Sequence, residues 1–517
     1  MLLTGDYFRV QINFQPFWEK PPLFFWLQVV SMRAFGVNEF AARLPNAMCG
    51  IITLNVLYAI GRKVHSEKFG RLWTLIYLGS FLPHFYFKSG IIDPVFNLFI
   101  FCGIYFLFSA LQLTRSRTRF WKFVIAGIFI GFGILTKGPV AYLVATLSLF
   151  IYTALRSFDL SAIGAMRRGE RIRVLEFLGY TVAAGLISLL WFGAETAKNG
   201  VWFLKEFLLY QIGLFSQPVA GHGQPWFYHI VVLFFGVFPA SILAFRGIRQ
   251  VESDTQSQQD FKLWMLVFFA VVLTIFSIST TKIVHYSSLC YFSITYFAAR
   301  FALQLIDGQS KWTWPVATVI GIVGAVMALL IAALPLALTN KELILPYVKD
   351  QLTLEVLKAN VSWSGYEFLT GVFYLAAIVA VLILFSQQRF TAGVITLFIS
   401  TAICLQLFML TVAPRVAAYT QGANVRFYKS LQGEHCYVEV LGFKSYAHLF
   451  YLQKPPVTNL KSYDERWLLE GKIDKPAYFV GKIIHADEWR KYPQLRELKS
   501  ENGFVYFKRD VPDSSTH

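Results

Sequence analysis

Apolar runs of membrane-crossing length recur from one end of this chain to the other. They fall at roughly 41–61, 70–87, 91–113, 119–136, 138–155, 174–194, 226–246, 262–279, 282–305, 313–336, 365–386 and 390–412. A hydrocarbon core of about 30 Å needs about 20 apolar residues in a helix, and backbone polar groups at that depth must be satisfied inside the helix. The pattern therefore predicts an all-α polytopic membrane protein with about twelve spanning helices, of which 138–155 is expected to insert only in part. Composition agrees, since 56% of the 517 residues are hydrophobic and 15% charged, which no ordinary soluble globule shows.

The formal net charge of +17 is not a nucleic-acid signal, because the basic residues cluster in alternate short loops. Arg62, Lys63, Lys68 and Arg71 form one group, Arg115, Arg117, Arg119 and Lys122 a second, and Arg156, Arg167, Arg168, Arg171 and Arg173 a third, before Arg246 and Arg249. Loops of this kind face the cytoplasm. The opposite loops, residues 1–40 and the tail after about Pro414 are then expected outside. Four of the five cysteines (Cys49, Cys102, Cys290 and Cys404) lie in apolar runs and Cys436 stands alone in the tail, so no disulfide or zinc framework is expected. Met1–Asp6 has neither the basic start nor the apolar core of a signal peptide.

From Arg415 onward the pattern changes. Residues 437–441, 449–452, 477–480 and 504–507 read as strands, with helix-like stretches at 463–470 and 485–491. This predicts a small extracytoplasmic α/β domain over 415–517, behind a membrane domain over 41–414 and an outward first loop with an interfacial helix over 1–40.

That first loop carries the most distinctive stretch, Gln15-Pro-Phe-Trp-Glu-Lys-Pro-Pro-Leu-Phe-Phe-Trp-Leu-Gln28. Pro21 and Pro22 suit the first positions of a helix, so Glu19 is expected near its positive end, with Lys20 beside it offering donors to an anion. The apolar run that follows reaches only to about Phe35, which suits a helix lying in the interface.

Ionisable residues are sparse at mid-span and gather at predicted outward ends. Lys20, Lys88, Lys137 and Lys282 each lie there; singly each reads as a snorkelling lysine, whereas together they could surround a phosphate. Asp93, ahead of Pro94, reads first as a helix N-cap. His222, between Gly221 and Gly223, could be a metal ligand, a general acid or base, or neither. Lys282, His285 and Tyr286 are spaced to share one helical face, and Arg43 lies at the outward end of its run.

With these residues in hand the chain resembles the polyprenyl-phosphate-sugar glycosyltransferases, in particular the bacterial aminoarabinose transferases and, more distantly, the protein O-mannosyltransferases. The matching stretches are Phe17-Trp-Glu-Lys-Pro-Pro-Leu23, Phe40-Ala-Ala-Arg-Leu-Pro45, Leu135-Thr-Lys-Gly-Pro139, Gln224-Pro-Trp-Phe-Tyr228 and Ser279-Thr-Thr-Lys-Ile-Val-His-Tyr286. The resemblance implies a GT-C architecture in a bacterial inner membrane. It implies a sugar leaving a lipid phosphate on the outer face, with inversion, for a lipid A-like glycolipid, glycan or protein acceptor. By that analogy Lys20 holds the phosphate and Glu19 organises the loop or binds a metal. Arg43, Lys88, Asp93, Lys137, His222, Lys282, His285 and Tyr286 would line the substrate cavity. No cofactor is specified; a divalent metal stays open, with Glu19 and His222 as candidate ligands. The partners expected are the lipid-linked donor, the acceptor and membrane lipids, not nucleic acid.

Two departures stand out. The family's arginine in the outward loop after the sixth span has no counterpart around Tyr210–Phe215. Its catalytic aspartate stands ahead of the Glu-Lys-Pro-Pro element, at the end of a first spanning helix, and Asp6 does not match it. Met1-Leu2-Leu3 reads as a helix end stopped by Thr4-Gly5. The expectation is therefore that Met1 is an internal methionine and that a helix bearing the catalytic aspartate lies upstream. The competing classes are a flippase or transporter of lipid-linked intermediates and a non-catalytic scaffold. A transporter would keep charges near the midplane, which this chain does not.

Overall fold

The computed structural model describes residues 1–157, 171–216, 223–249 and 254–512. All twelve apolar segments fold as helices, but they differ in length. Eight are long and apolar enough to cross a membrane: Glu39–Val64, Asp93–Leu111, Arg117–Lys137, Val174–Asn199, Gln256–Ile278, Trp314–Thr339, Leu369–Ser386 and Phe390–Thr420. A ninth is counted if Tyr228–Gly236 and Ala240–Gly247, bent by 104°, form one broken span. The remaining three expected spans are shorter. Residues 70–87 divide into Glu67–Leu78 and Phe81–Tyr86 at Gly79-Ser80. Val140–Ser157 and Cys290–Ile306 are single short helices. Run length in the sequence does not see these breaks, because the interrupting residues are themselves small or apolar.

Two compact units result. The first comprises Met1–Val10, Pro16–Ala325 and Tyr374–Leu405. Its centre is the short helix Cys290–Ile306, in which Cys290 to Ala302 is buried without interruption. Trp73 donates to Thr295 Oγ1 at 3.1 Å and Phe101 stacks on Phe292 at 4.1 Å. Helices approach closely where they lack side chains. A Cβ on Gly127 would stand 2.2 Å from the Tyr180 carbonyl, and one on Gly131 2.9 Å from that of Ala184. The Gly127-Ile-Phe-Ile-Gly131 spacing is the small-xxx-small pattern of membrane helix pairs.

The opening segment is fastened to this bundle by aromatic residues. Trp191 donates to the Phe8 carbonyl at 2.8 Å, Trp26 to that of Tyr7 at 2.7 Å, and Trp18 packs on Phe203 at 4.8 Å. The helix Leu23–Phe35 begins two residues later than the prolines suggest, with Pro22 as its N-cap. Its Phe24 packs among Cys49, Val95 and Leu98.

The second unit comprises Gln11–Gln15, Val326–Phe373 and residues 406–512. Its sheet has the order 437–441, 477–482, 504–509, 496–501, the first pair parallel and the others antiparallel. Alternation sorts the strands' side chains onto two faces. Ala477, Phe479, Val505 and Phe507 pack with Leu468 and Leu469; Val438, Val480, Phe504 and Tyr506 pack with Phe427 and Tyr428. Three of the four expected strands are present. The stretch expected as a strand over 449–452 belongs instead to the helix Ala447–Tyr451. The fourth strand, Arg496–Glu501, is almost entirely exposed, so its sequence Arg-Glu-Leu-Lys-Ser-Glu carries no apolar alternation to announce it.

Candidate functional site

Five segments of the first unit converge on one group of charges. Gly138 ends the helix Arg117–Lys137 at φ +119, where a Cβ would come within 3.2 Å of Phe207. This close turn leaves Lys137 on the last helical position, and its ammonium reaches Asp93 Oδ1 at 2.5 Å. Asp93 is therefore not the N-cap expected from sequence. Ile92 holds that position, and the Asp93 carboxylate turns inward to Lys137, with His285 Nε2 3.6 Å from its other oxygen. The Lys137 ammonium also lies 4.4 Å from the Tyr286 ring centre and 5.6 Å from that of Phe96.

Lys20 enters from the opening loop. Its ammonium lies 5.3 Å from the Tyr210 ring centre and feels the charges of Lys137, Asp93 and Glu19. Burial, and next the positive charge of Lys137, pull its pKa down to about 8, against the opposing pull of Asp93 and Glu19. Glu19 is not held by helix amides. The Tyr210 hydroxyl lies near enough to feel its charge, and Gln211 Nε2 donates to its backbone carbonyl at 3.4 Å. Burial first, and then Asp93, raise Tyr286 to about 12, so its hydroxyl keeps its proton at neutral pH.

A hydrogen-bond web fixes the floor. Asn97 donates to Tyr86 Oη at 2.6 Å and to Ser288 Oγ at 2.8 Å, and Ser288 donates to the His285 carbonyl at 2.5 Å. The short 3₁₀ helix Val284–Ser287 is thereby tied to the start of the helix bearing Asp93.

The structure thus brings together Glu19, Lys20, Asp93, Lys137, His285 and Tyr286. It does not place Lys282 on a shared helical face with His285 and Tyr286. Lys282 precedes the 3₁₀ helix, outside any helix, is 5% exposed and donates to its own loop at Ser279 O, 2.5 Å away. Lys88 pairs with His84 at 2.9 Å. Arg43 remains exposed beside Gly90, and His222 lies outside the described residues. Among the described residues no three His, Cys, Asp or Glu side chains group as a metal site. Sequence reasoning missed two participants. Tyr210 lies in the very stretch where the family's arginine is lacking. His229, fully buried, meets Ser287 Oγ at 3.0 Å and has the hydropathic surroundings of an ordinary core residue.

Residues 19–163, beginning at Glu19, fit the family of dolichyl-phosphate-mannose-protein mannosyltransferases. The undecaprenyl phosphate-alpha-4-amino-4-deoxy-L-arabinose arabinosyl transferase of Photorhabdus laumondii is 25% identical over 59% of this chain and 53% of its own length. That of Pectobacterium carotovorum is 23% identical over 67% and 60%. The chain spans about half the length of several of the curated relatives it matches. In structure, ArnT from Cupriavidus metallidurans bound to undecaprenyl phosphate superposes with a TM-score of 0.71 at 16% identity, covering 98% of this chain and 90% of that one. Relatives and architecture agree: the chain is a multi-pass membrane protein with the GT-C fold, similar in sequence to undecaprenyl phosphate aminoarabinose transferases.

Proposed function

We propose that this protein transfers a sugar from a polyprenyl-phosphate carrier to a glycolipid acceptor of the lipid A kind at the outer membrane surface. The observation that carries the reading is the convergence of Lys20 and Lys137 around Asp93, at the end of the bundle that the sparse-loop pattern assigns to the outside. When the sugar–phosphate bond breaks, negative charge develops on the departing phosphate. Cations already in place stabilise that charge as it forms, without having to reorganise. Lys137 is fixed by Asp93, whereas Lys20 lies against Tyr210 with its charge less fully matched, so Lys20 is assigned to the phosphate. Asp93 and Glu19 limit the mutual repulsion of the two lysines while the site is empty of anion. His285, 3.6 Å from Asp93, and Tyr286, beside the Lys137 ammonium, stand next to them.

The test is sugar transfer by the whole protein in liposomes, with a polyprenyl-phosphate sugar as donor. Lys20→Ala is expected to lower turnover at least tenfold at normal expression, since a charge-assisted hydrogen bond contributes about 1.5–3 kcal/mol. Turnover equal to the parent rules out the assignment. Movement of the intact lipid-linked sugar across the bilayer, without transfer, would favour a flippase instead.

A further inference from the structure

The C-terminal unit holds a cavity of about 310 Å³, lined by Asn13, Glu439, Lys444, Ser445, Tyr446 and His448 among others. It is at the small end of ligand pockets, which run from about 300 to 1,000 Å³. Its wall is costly to build for stability alone. His448 is 3% exposed, with Nε2 3.6 Å from Glu439 Oε1, a separation beyond a hydrogen bond. His448 Nδ1 and Asn13 Oδ1 are buried and have no hydrogen-bond partner among the described residues. Asn13 itself is held at φ +53 in a turn pinned by Tyr463, whose hydroxyl donates to its carbonyl at 2.9 Å. Incompletely satisfied polar groups around a cavity point to a ligand or water that completes them. Burial, then Lys454, lower His448 to about 4, so the ring is neutral at physiological pH; burial raises Glu439.

The chemistry of the lining discriminates among occupants. A bare divalent cation is disfavoured, since only Glu439 and His448 supply metal-type ligands in the lining and the Lys454 charge acts on both. The Glu439 carboxylate opposes a simple anion, and the Lys444 ammonium in the same lining opposes a bare cation. What remains is an uncharged, hydroxyl-rich ring with one apolar face. Tyr446 is 48% exposed at the rim, with the Lys444 ammonium 5.7 Å from its ring centre, and its ring supplies the aromatic surface. Glu439, Asn13 and Ser445 offer acceptors and donors to hydroxyls, as a carboxylate, an amide and a hydroxyl do.

We propose that this cavity is a carbohydrate subsite, separate from the Lys20 site, in which one pyranose ring stacks on Tyr446 and gives its hydroxyls to Glu439, Asn13 and Ser445. Where the transfer reading holds, the occupant is a sugar unit of the acceptor; binding itself does not depend on that reading.

The experiment is saturation-transfer-difference NMR on the whole protein in a detergent without a sugar headgroup, with methyl glucoside and N-acetylglucosamine as probes. Saturation is expected to pass to ring protons of at least one probe in the parent. The signal should fall at least fivefold in Tyr446→Ala and Glu439→Gln, and persist in Tyr446→Phe and in Lys20→Ala. Persistence in Lys20→Ala alongside lost transfer separates this site from the phosphate site. No transfer of saturation in the parent overturns the proposal. So does an equal signal in Tyr446→Ala and Glu439→Gln, or a signal abolished by Lys20→Ala. Tyr446→Phe keeps the ring and its packing, so a loss there with an unchanged thermal melt also counts against stacking.

Discussion

The Lys137 ammonium and the Asp93 carboxylate are 2.5 Å apart, with their side chains only 11% and 4% exposed. They are 44 residues apart in sequence, one ending a helix and the other beginning one. Removing either partner leaves an uncompensated charge in a poorly hydrated place, at a cost of about 3–5 kcal/mol, whereas replacing both by apolar groups is often neutral. Asp93→Asn and Lys137→Met are thus each expected to lower the thermal midpoint in detergent. The double substitution should recover most of that loss without recovering sugar transfer. A double variant no more stable than either single one would mean that the pair does not act as a unit.

The lowered pKa of Lys20, to about 8, has two consequences of opposite sign. The ammonium is present below that value and lost above it, so affinity for a short-chain polyprenyl phosphate should decline as pH rises from 7 to 9.5. Lys20→Arg, charged throughout, should remove this decline. Stability responds the other way. Between about 8 and the ordinary lysine value near 10.4, the unfolded chain binds more protons at this residue than the folded one. The contribution of Lys20 to stability therefore rises with pH across that window, and below it the full cost of burying the charge is felt. Binding isotherms at several pH values, on parent and Lys20→Arg, check the first consequence; flat affinity in the parent contradicts it.

Much of this arrangement was legible in the sequence, and the rest was hidden for identifiable reasons. The spans and the Glu19–Lys20 element show themselves because membrane burial and helix-breaking prolines act locally. Asp93 was misread as a cap because an aspartate before a proline fits that role in isolation; only the Lys137 helix arriving from elsewhere in the bundle gives it a buried partner. Lys282, His285 and Tyr286 fit helical spacing, but the chain is extended at Ile283 and enters a 3₁₀ turn only at Val284. Tyr210 carries no charge, so nothing in its neighbourhood marked it as the residue that meets both Glu19 and Lys20.

Helix packing behind the site is open to a separate check. Gly127 faces the Tyr180 backbone too closely to accept a methyl group, whereas Gly185, on the helix Val174–Asn199, has nothing within 4 Å of a Cβ. Gly127→Ala should force the two helices apart and destabilise by about 1–3 kcal/mol, the usual cost of overpacking. Gly185→Ala should be neutral or slightly stabilising, since alanine is the better helix former. Thermal melts of the two variants side by side decide the matter; equal midpoints would remove the close contact from the account of stability.

Orientation is the premise on which the outer-face reading stands, and single cysteines can test it. Lys63 ends the first long span in a basic loop and is exposed; Lys472 is exposed in the C-terminal unit. The five native cysteines are buried or partly buried, so they give a low labelling background. With a membrane-impermeant maleimide on intact cells, Lys472→Cys is expected to label, and Lys63→Cys only after permeabilisation. The physical ground is the excess of Arg and Lys in the loop 62–71 against its scarcity on the other side, which directs short loops inward. The reverse pattern would put Lys20, Lys137 and Asp93 on the cytoplasmic side, where a sugar arriving on the outer leaflet could not reach them. Labelling of both positions in intact cells would equally break the alternation from which the outward site was deduced.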